Sequence, residues 1–368
     1  ASMLDRRNAF TAASLFSGAG GMDVGFARAG FDIVFANDID GDACATYRLN
    51  HTASIHQGSL LDAKVSELLS QHDVDLVFGG PPCQGFSVAG KMDPNDGRSR
   101  LIHSFFDVVD SLQPKAFVCE NVKALAYLNR WAGVRTALVE RGRKHYRVAL
   151  VILNATDFGV PQIRERMFLV GLHRDIFNGA DDDLQAFLED GLQTQRSRPA
   201  TVAEIVRSLG RAGSETNPRT CAAKITFARS PIMRKSPYAG MMFNGAGRPL
   251  PAQKWATTLP ASMGGNKTPI IDEAEIFDGE PSFVEKYHRH LLDGGKPRSG
   301  YAPDRLRRLT VDECLAIQTF PAHYQLAGSR SAQYRQLGNA VPPMLAEAVA
   351  RVVAQGLQGR ASCQVAAE

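Results

Sequence analysis

Apolar runs of strand length alternate with helix-length stretches over the first 172 residues of the chain. The predicted strands are Ala12–Phe16, Ile33–Asn37, Leu76–Phe78, Ala116–Val118, Arg147–Leu153 and Met167–Leu172. The predicted helices run from the glycine turn 18–21 to about Ala29, over Gly41–Asn50, over the amphipathic stretch Phe105–Leu112 and around Trp131–Arg141. This alternation predicts an α/β fold with a doubly wound sheet that carries helices on both faces.

The pattern changes after Leu172. From about 178 to 305 the chain is rich in Gly, Pro, Ser and Thr, with short strand-like pieces and few helical runs, which predicts a separate and irregular domain. Helical order returns at Thr310–Glu313, a capping box before Cys314–Gln318, and a last helix follows Pro342-Pro343. We therefore predict one domain from residues 9–178 and 325–368, and a second domain with its hinge from residues 179–324.

Composition narrows the class of protein. Of the 368 residues, 44% are hydrophobic and 22% charged, as in ordinary globular proteins, and no apolar run is long enough to span a membrane. The N-terminal segment lacks the apolar region of a secretory signal. The six cysteines form no Cys-x-x-Cys pair, so we expect no disulfide framework, no metal site and a cytoplasmic location.

The net charge of +4 is distributed unevenly. Residues 191–260 contain eleven Lys and Arg against two Glu and no Asp, a net charge of +9, so the rest of the chain is near −5. A basic segment in an otherwise acidic protein indicates a polyanionic partner such as nucleic acid, although a solvated loop surface gives the same pattern.

A glycine turn and an acidic residue follow the first two predicted strands. The turn Gly18-Ala19-Gly20-Gly21 would bring backbone close to a ligand at a helix N-terminus, although a plain tight turn is nearly as good an interpretation. Asp38 follows the second strand, where an acid commonly binds ribose hydroxyls. Because the spacing departs from Gly-x-Gly-x-x-Gly, the pattern favours a nucleoside cofactor without a pyrophosphate.

A cysteine follows the strand-like run Val74–Phe78 in the segment Gly79-Gly80-Pro81-Pro82-Cys83-Gln84. Two prolines fix the backbone ahead of Cys83, and the flanking Gly, Pro and Ser make a poor core, so a nucleophile is favoured over a buried structural cysteine. The signature of zinc deaminases is excluded, because the chain contains neither Pro-Cys-x-x-Cys nor His-x-Glu. Cys119, inside an apolar strand, is predicted to pack.

A second predicted strand ends in the polar pair Glu120-Asn121, which places a carboxyl group at the same edge of the sheet as Cys83. A thiol and a carboxyl group at neighbouring strand ends suit nucleophilic addition with acid assistance. Downstream, Arg164 and Arg166 are separated by one residue just before a predicted strand, so an extended chain puts their side chains on the same side. A solvated strand edge is the alternative interpretation of these arginines.

Together these motifs resemble those of the DNA (cytosine-5) methyltransferases of bacterial restriction–modification systems. They occur in the family's order over about residues 9–172 and 306–355. The motifs are Leu15–Gly21, Asn37-Asp38, Gly80–Ser87, Glu120–Val122, Gln162–Arg166 and Gln336–Val341. The resemblance implies a Rossmann-like sheet that binds S-adenosylmethionine, with the middle segment as a smaller target-recognition domain. It also implies base flipping, because the target carbon is inaccessible within a duplex.

The resemblance assigns the chemistry. A Cys83 thiolate would add to carbon 6 of cytosine, and Glu120 would protonate or hydrogen-bond ring nitrogen 3. Arg166 would support the base and the acid, and Arg164 would lie near Cys83 and the phosphate. Carbon 5 would then take the methyl group, giving S-adenosylhomocysteine. The implied catalytic residues are Cys83, Glu120, Arg164, Arg166, Asn121 and Pro82.

The resemblance also implies a cofactor site, in which Phe16 stacks on adenine and Asp38 binds the ribose. Many members carry an acid where this chain has Ser59, so either Ser59 or Asp62 would reach the adenine. The implied cofactor-binding residues are Phe16, Ser17, Gly18, Gly20, Gly21, Asp38, Ile39, Ser59, Leu60, Pro81, Leu101, Asn339, Ala340 and Val341.

Double-stranded DNA is the partner that the resemblance implies. The segment from Gln84 to about Arg100 is similar to the family's loop that closes over the flipped base. Gly264–Thr268 is a candidate base-edge loop, or a plain turn. A monomer, a cytoplasmic location at the nucleoid and a cognate restriction endonuclease are also expected. The implied DNA-binding residues are Ser87, Arg98, Thr258, Leu259 and Lys254.

Three alternatives compete with this interpretation. A transfer RNA cytosine-5 methyltransferase shares the motifs, but that branch carries Cys-Phe-Thr where this chain has Cys221-Ala222-Ala223. A catalytically silent DNA-binding regulator would not need Cys83, Glu120 and Arg166 intact. A dinucleotide oxidoreductase fits the fold but leaves the Pro-Cys segment and the basic insert unexplained.

Overall fold

The structure is a computed structural model that describes residues 9–82 and 99–359. The strands are β1 (Thr11–Leu15), β2 (Asp32–Asp38), β3 (Ile55–Gln57), β4 (Leu76–Gly79), β5 (Ala116–Val122), β6 (Tyr146–Asn154), β7 (Glu165–His173), β8 (Phe227–Ile232), β9 (Met241–Phe243), β10 (Ile270–Asp272) and β11 (Leu306–Arg308). The helices are α1 (Gly21–Arg28), α2 (Gly41–Asn50), α3 (Ala63–Ser70), α4 (Ser99–Leu112), α5 (Lys123–Tyr127), α6 (Ala132–Gly142), α7 (Asp181–Thr194), α8 (Val202–Leu209), α9 (Glu273–Asp278), α10 (Phe283–Leu292), α11 (Val311–Ile317), α12 (Arg330–Asn339) and α13 (Pro343–Leu357).

The chain divides into two compact units. Unit 1 comprises the N-terminal part to residue 158, residues 165–197 and the part from 341 onward, and unit 2 comprises residues 159–164 and 198–340. The assignment of residues 9–178 and 325–368 to catalysis and of residues 179–324 to target recognition stays a prediction.

Unit 1 is built on a seven-stranded sheet in the order β3-β2-β1-β4-β5-β7-β6. The strands from β3 to β5 pair in parallel, whereas β7 pairs antiparallel with both β5 and β6. The predicted doubly wound α/β fold is therefore confirmed. The strand order reverses between β1 and β4, and the crevice at the carboxyl ends of such a pair is where open α/β sheets bind ligands.

Aromatic side chains fill one face of this sheet. The adjacent residues Phe105 and Phe106 of α4 are both buried, and the Phe106 ring meets Phe117 of β5 edge-on at 5.4 Å. Phe117 in turn meets Tyr146 of β6 at 5.1 Å, also edge-on. Such edge-to-face contacts add to the hydrophobic burial of the rings. They hold β5, which carries Glu120, in a fixed position.

Unit 2 contains two small antiparallel sheets, β8-β9 and β10-β11, and more helices than the composition predicts. The expectation of few helical runs between 178 and 305 is wrong, because α7 to α10 lie there. The capping box at Thr310 is confirmed, since Glu313 N donates to Thr310 Oγ1 at 3.1 Å and Thr310 N donates to Glu313 Oε2 at 2.9 Å. Within the described residues, no helix is both long enough and apolar enough to cross a membrane.

Candidate active site

The turn after β1 has an unusual backbone at its first residue. Phe16 adopts φ +53°, in the left-handed region that non-glycine residues rarely occupy and that concentrates at functional sites. The next residue is tied to β2, because Ser17 N donates to Asn37 O at 2.9 Å and Asn37 N donates to Ser17 Oγ at 3.2 Å. The turn that contains Gly18, Gly20 and the first helical residue, Gly21, is thus anchored to the carboxyl end of β2.

Asp38 is the acid at that end of β2. Its Oδ2 accepts from Gly18 N at 2.7 Å and its Oδ1 accepts from Asp40 N at 2.8 Å, so the carboxylate is oriented by the glycine turn. Burial raises the pKa of Asp38, against the lowering effect of these N–H donors. Each carboxylate oxygen can accept more than one hydrogen bond, so the fixed carboxylate can also receive ligand hydroxyls.

Two apolar side chains in the segments that follow β2 and β3 face solvent. Ile39 is 70% exposed and Leu61 is 57% exposed, whereas Leu60 is buried. A Cβ placed on Gly18 would meet no atom within 4 Å, so the turn borders open space. Exposed apolar side chains after β2 and β3, an oriented carboxylate and an open glycine turn are features that suit a nucleoside, with its base on apolar side chains and its ribose on the acid.

The side chains of Ser59 and Asp62 each accept a hydrogen bond from the backbone of the same turn. Asp62 Oδ2 accepts from Ser59 N at 3.2 Å, and Ser59 Oγ accepts from Leu61 N at 3.2 Å. Both groups therefore lie in the turn before α3, next to Leu60 and Leu61. Which of the two would contact an adenine stays open, as the sequence left it.

Asp23 is a polar residue at this edge that the sequence analysis missed. Its side chain is fully buried in α1, where it accepts from Ser14 Oγ at 3.0 Å and from Tyr47 Oη at 2.8 Å. Burial raises the pKa of Asp23 to about 6. An acid in the first turn of a helix usually complements the helix dipole at the surface, so its sequence position gave no signal of burial.

Glu120 and Arg166 form the second cluster of the site. In the antiparallel register of β5 and β7, Val122 pairs with Arg166, so Glu120 lies two residues along on the same face. Arg166 Nε lies 3.0 Å from Glu120 Oε1, and the two side chains are only 16% and 10% exposed. The ion pair fixes the direction of a largely buried carboxyl group, and removing one partner would leave the other charge uncompensated.

The segment leading to Cys83 packs directly against this carboxyl group. A Cβ placed on Gly80 would come within 2.6 Å of Glu120 Oε2, so a larger residue here would have to displace the carboxyl group. Asn121 Nδ2 donates to Pro81 O at 3.2 Å and holds the first proline in place. Pro82 is the last residue described before the gap, and Cys83 lies outside the described residues. Cys119 is fully buried, which confirms the prediction that it packs.

The family resemblance implies a methyl-transfer activity that can be measured. Alanine in place of Gly80 is expected to lower its turnover rate by about 10- to 100-fold. The added Cβ would push the Glu120 carboxyl group out of its position beside Arg166. Steady-state turnover and the melting temperature should be measured together. Gly133→Ala is the matched control, because a Cβ at Gly133 meets no atom within 4 Å. Equal turnover of the Gly80 variant and the control would contradict this geometry.

Arg164 belongs to unit 2 and has different partners from Arg166. Its side chain is 2% exposed, and its Nη1 and Nη2 donate to Leu259 O at 3.3 Å and to Gly338 O at 3.0 Å. Leu259 is itself fully buried and its N donates to Gln162 Oε1 at 2.9 Å. Arg164 therefore binds backbone carbonyl groups within its unit, and its predicted place near the phosphate stays a prediction.

The other predicted site residues lie on several elements. Thr258 is exposed and its Oγ1 donates to Ile163 O at 2.7 Å, while Lys254 is exposed in the same unit. Half-buried Leu101 lies in the first turn of α4. Asn339 ends α12 in unit 2, Ala340 follows it, and Val341 begins the return to unit 1.

Two predicted DNA-binding residues, Ser87 and Arg98, lie outside the described residues. In the ranges 9–82 and 99–359, no group of three or more His, Cys, Asp or Glu side chains is placed to hold a metal ion.

Comparison with known proteins gives concordant matches. The model of the family described as C-5 cytosine-specific DNA methylase matches residues 10–355. Type II methyltransferase M1.HphI of Haemophilus parahaemolyticus is 32% identical over 355 residues, covering 92% of this chain and 85% of that protein. Type II methyltransferase M.HgiDI of Herpetosiphon aurantiacus is 34% identical over 335 residues, covering 90% of each. The solved structure of Entamoeba histolytica methyltransferase EhMeth shares the fold, with a TM-score of 0.65 at 17% identity over 95% of this chain and 98% of that one.

Proposed function

Since the chain belongs to the C-5 cytosine-specific DNA methylase family, we propose that it methylates carbon 5 of a flipped-out cytosine within a short specific sequence of duplex DNA. S-adenosylmethionine supplies the methyl group, and S-adenosylhomocysteine leaves as the product. The observation that carries the proposal is the Glu120 carboxyl group, which is held by Arg166 on one side and lies against Gly80 on the other.

The position of Glu120 supports its role as the acid. Its Oε1 is engaged by Arg166, whereas Oε2 lies on the side of the segment that leads into Cys83. A base attacked by Cys83 at carbon 6 would present its ring nitrogen 3 to a carboxyl group on that side. Donation of a hydrogen bond or a proton from Glu120 to nitrogen 3 would then stabilise the charge that develops in the ring.

Each remaining residue of the cluster has a role in this scheme. Cys83 would form a covalent bond to carbon 6 and leave when the carbon-5 proton is lost, so the enzyme is regenerated. Arg166 would keep Glu120 aimed at the base. Asn121 would keep Pro81 in place through its hydrogen bond to Pro81 O, and so would fix the backbone just before Cys83 in the sequence.

Residues at the carboxyl ends of the parallel strands of unit 1 support a cofactor site for a nucleoside. Asp38 would receive the ribose hydroxyls, and the exposed side chains of Ile39 and Leu61 would be covered by the adenine. Phe16, in its left-handed backbone conformation, would stack on the other face of the base. No metal ion enters this scheme, because the thiol and the carboxyl group provide nucleophile and acid.

The names of the relatives support the biological context. Both M1.HphI and M.HgiDI are type II methyltransferases, so we expect this chain to protect a short DNA motif from a cognate endonuclease. We also expect it to act as a monomer in the cytoplasm. The basic segment 191–260 would supply phosphate contacts, because Lys and Arg that neutralise phosphates release counterions.

The experiment is methyl transfer from labelled S-adenosylmethionine to unmethylated genomic DNA and, in parallel, to bulk transfer RNA, with bisulfite sequencing of the DNA. We expect 5-methylcytosine at one short DNA motif and no label in RNA. Label in RNA alone would assign the chain to the transfer RNA branch. No label in either, with DNA still bound, would favour a catalytically silent regulator.

A further inference from the structure

Arg308 in β11 is a fully buried arginine whose hydrogen-bond partners are all neutral. Its Nη1 donates to Thr268 O, and its Nη2 donates to Asn244 O at 3.0 Å and to Asn244 Oδ1 at 3.2 Å. In the described part of the chain, no carboxylate forms an ion pair with it. By contrast, the neighbouring Arg307 is paired with Glu313 at 2.7 Å.

A guanidinium without an anionic partner is costly to bury, and burial lowers the pKa of Arg308. Stability alone does not explain such a residue, because apolar side chains of similar size fill a core at lower cost. The hydrogen bonds of Arg308 instead hold the carbonyl groups of two surface turns, 244–248 and 264–268.

These two segments, called here the paired turns, interlock within unit 2. Gly247 N donates to Asn266 O at 3.0 Å, and Ile270 N donates to Arg248 O at 3.0 Å just beyond the second turn. A Cβ on Gly247 would come within 2.0 Å of Thr268 O and 2.6 Å of Arg308 Nη1. Glycine is therefore required for the close approach of the two turns. The Arg308 guanidinium forms hydrogen bonds with both of them.

The outer side of the paired turns is polar and exposed. Arg248, Asn266 and Lys267 are exposed, whereas Gly247 and Thr268 between them are buried. Asn can pair bidentately with adenine, and Arg or Lys with guanine, in the major groove. Discrimination between bases requires such groups to be held rigidly, since a loosely held donor can reach several base edges.

We propose that the paired turns read base edges of the target DNA and that Arg308 is the positioning residue that fixes their geometry. The inference rests on the proposed function, and it adds Arg308 as the positioning residue on which discrimination between bases depends. Gly264–Thr268, which the sequence left open between a base-edge loop and a plain turn, is thereby assigned to base reading together with 244–248.

The test compares methylation of the motif found by bisulfite sequencing with methylation of duplexes that differ from it by one base pair. Arg308→Met and Arg308→Lys probe the positioning residue, and Asn266→Ala and Lys267→Ala probe the surface. Arg305→Met is the matched control, because it removes an arginine of the same unit that is paired with Asp272 and Glu280. The melting temperature and the affinity for S-adenosylmethionine are measured for every variant.

We expect Arg308→Met to lower the ratio of kcat/KM between the motif and its one-base variants by at least about tenfold. Its kcat on the motif and its cofactor affinity should stay within about twofold of wild type. Arg308→Lys should restore part of the discrimination, since an ammonium group can donate to one of the two turns. Asn266→Ala or Lys267→Ala should relax specificity at a single base pair.

Retained discrimination in all four variants would overturn the inference, and so would an equal loss of activity at every site. A similar loss of discrimination in Arg305→Met would show that Arg308 acts only through stability. If Arg308→Met fails to fold, Arg308→Lys and the two surface variants decide the question. Failure of the wild-type chain to methylate any DNA motif would remove the proposed function itself, which separates the two failures.

Discussion

Serine in place of Cys83 is expected to reduce methyl transfer to the background of the assay while duplex DNA is still bound. A serine hydroxyl has nearly the size of the thiol but is a far weaker nucleophile, and no neighbouring base is predicted to activate it. The measurements are incorporation of labelled methyl groups into DNA and the dissociation constant of a duplex that contains the motif. The DNA contacts predicted for the basic segment 191–260 should be unaffected.

A covalent trap distinguishes loss of the nucleophile from general damage. In a duplex with 5-fluorocytosine, and with S-adenosylmethionine present, methyl transfer leaves carbon 5 with fluorine in place of the proton that must be lost, so the thiol cannot be expelled. Wild-type protein should therefore form a complex with this duplex that survives denaturing electrophoresis, and Cys83→Ser should not. Cys363→Ser, in the small polar C-terminal segment, is the control. Normal turnover by the Cys83 variant would refute the assignment.

Glutamine in place of Glu120 is expected to slow methyl transfer by about 10²- to 10⁴-fold, the usual contribution of a positioned acid. The amide keeps the size of the side chain and can turn its carbonyl oxygen toward Arg166, so the fold around β5 and β7 should persist. It has no acidic proton to give to the base. The measurement is single-turnover methylation, together with cofactor binding by calorimetry, which should be nearly unchanged.

The matched control for Glu120 is Glu165→Gln. Glu165 is also paired, with Lys123 Nζ at 2.7 Å, but its side chain is 43% exposed, and exposed ion pairs contribute little. The turnover rate of the Glu165→Gln variant should therefore remain near that of the wild-type protein. A large loss of cofactor affinity in Glu120→Gln would mean that Glu120 holds the cofactor, and unchanged turnover would exclude it as the acid.

Local patterns predicted most of the fold. The apolar runs located β1, β2, β4 and β5 to within about two residues at their starts, because strand periodicity depends on neighbouring residues alone. The capping box of Thr310 and Glu313 was readable for the same reason, since both of its hydrogen bonds are local. Helix α7 was missed although its buried leucines, Leu184, Leu188 and Leu192, recur at helical spacing, because the prediction rested on the average composition of residues 178–305.

The residues whose environment depends on other elements were the ones that the pattern could not reveal. Asp23 reads as a surface acid but is buried beneath Ser14 and Tyr47. Arg308 reads as one of several arginines before a helix, yet it is buried without a carboxylate partner among the described residues and binds two turns that lie far from it in sequence.

The sequence by itself determined the α/β class, the placing of chemistry at strand ends and the set of motifs that define the family. Only the tertiary structure decided which oxygen of Glu120 Arg166 engages, how closely Gly80 approaches the Glu120 carboxyl group and which turns Arg308 joins. The physical reason is that strand periodicity and capping are set by neighbouring residues. An ion pair or a close approach depends instead on the register and packing of segments that the whole fold brings together.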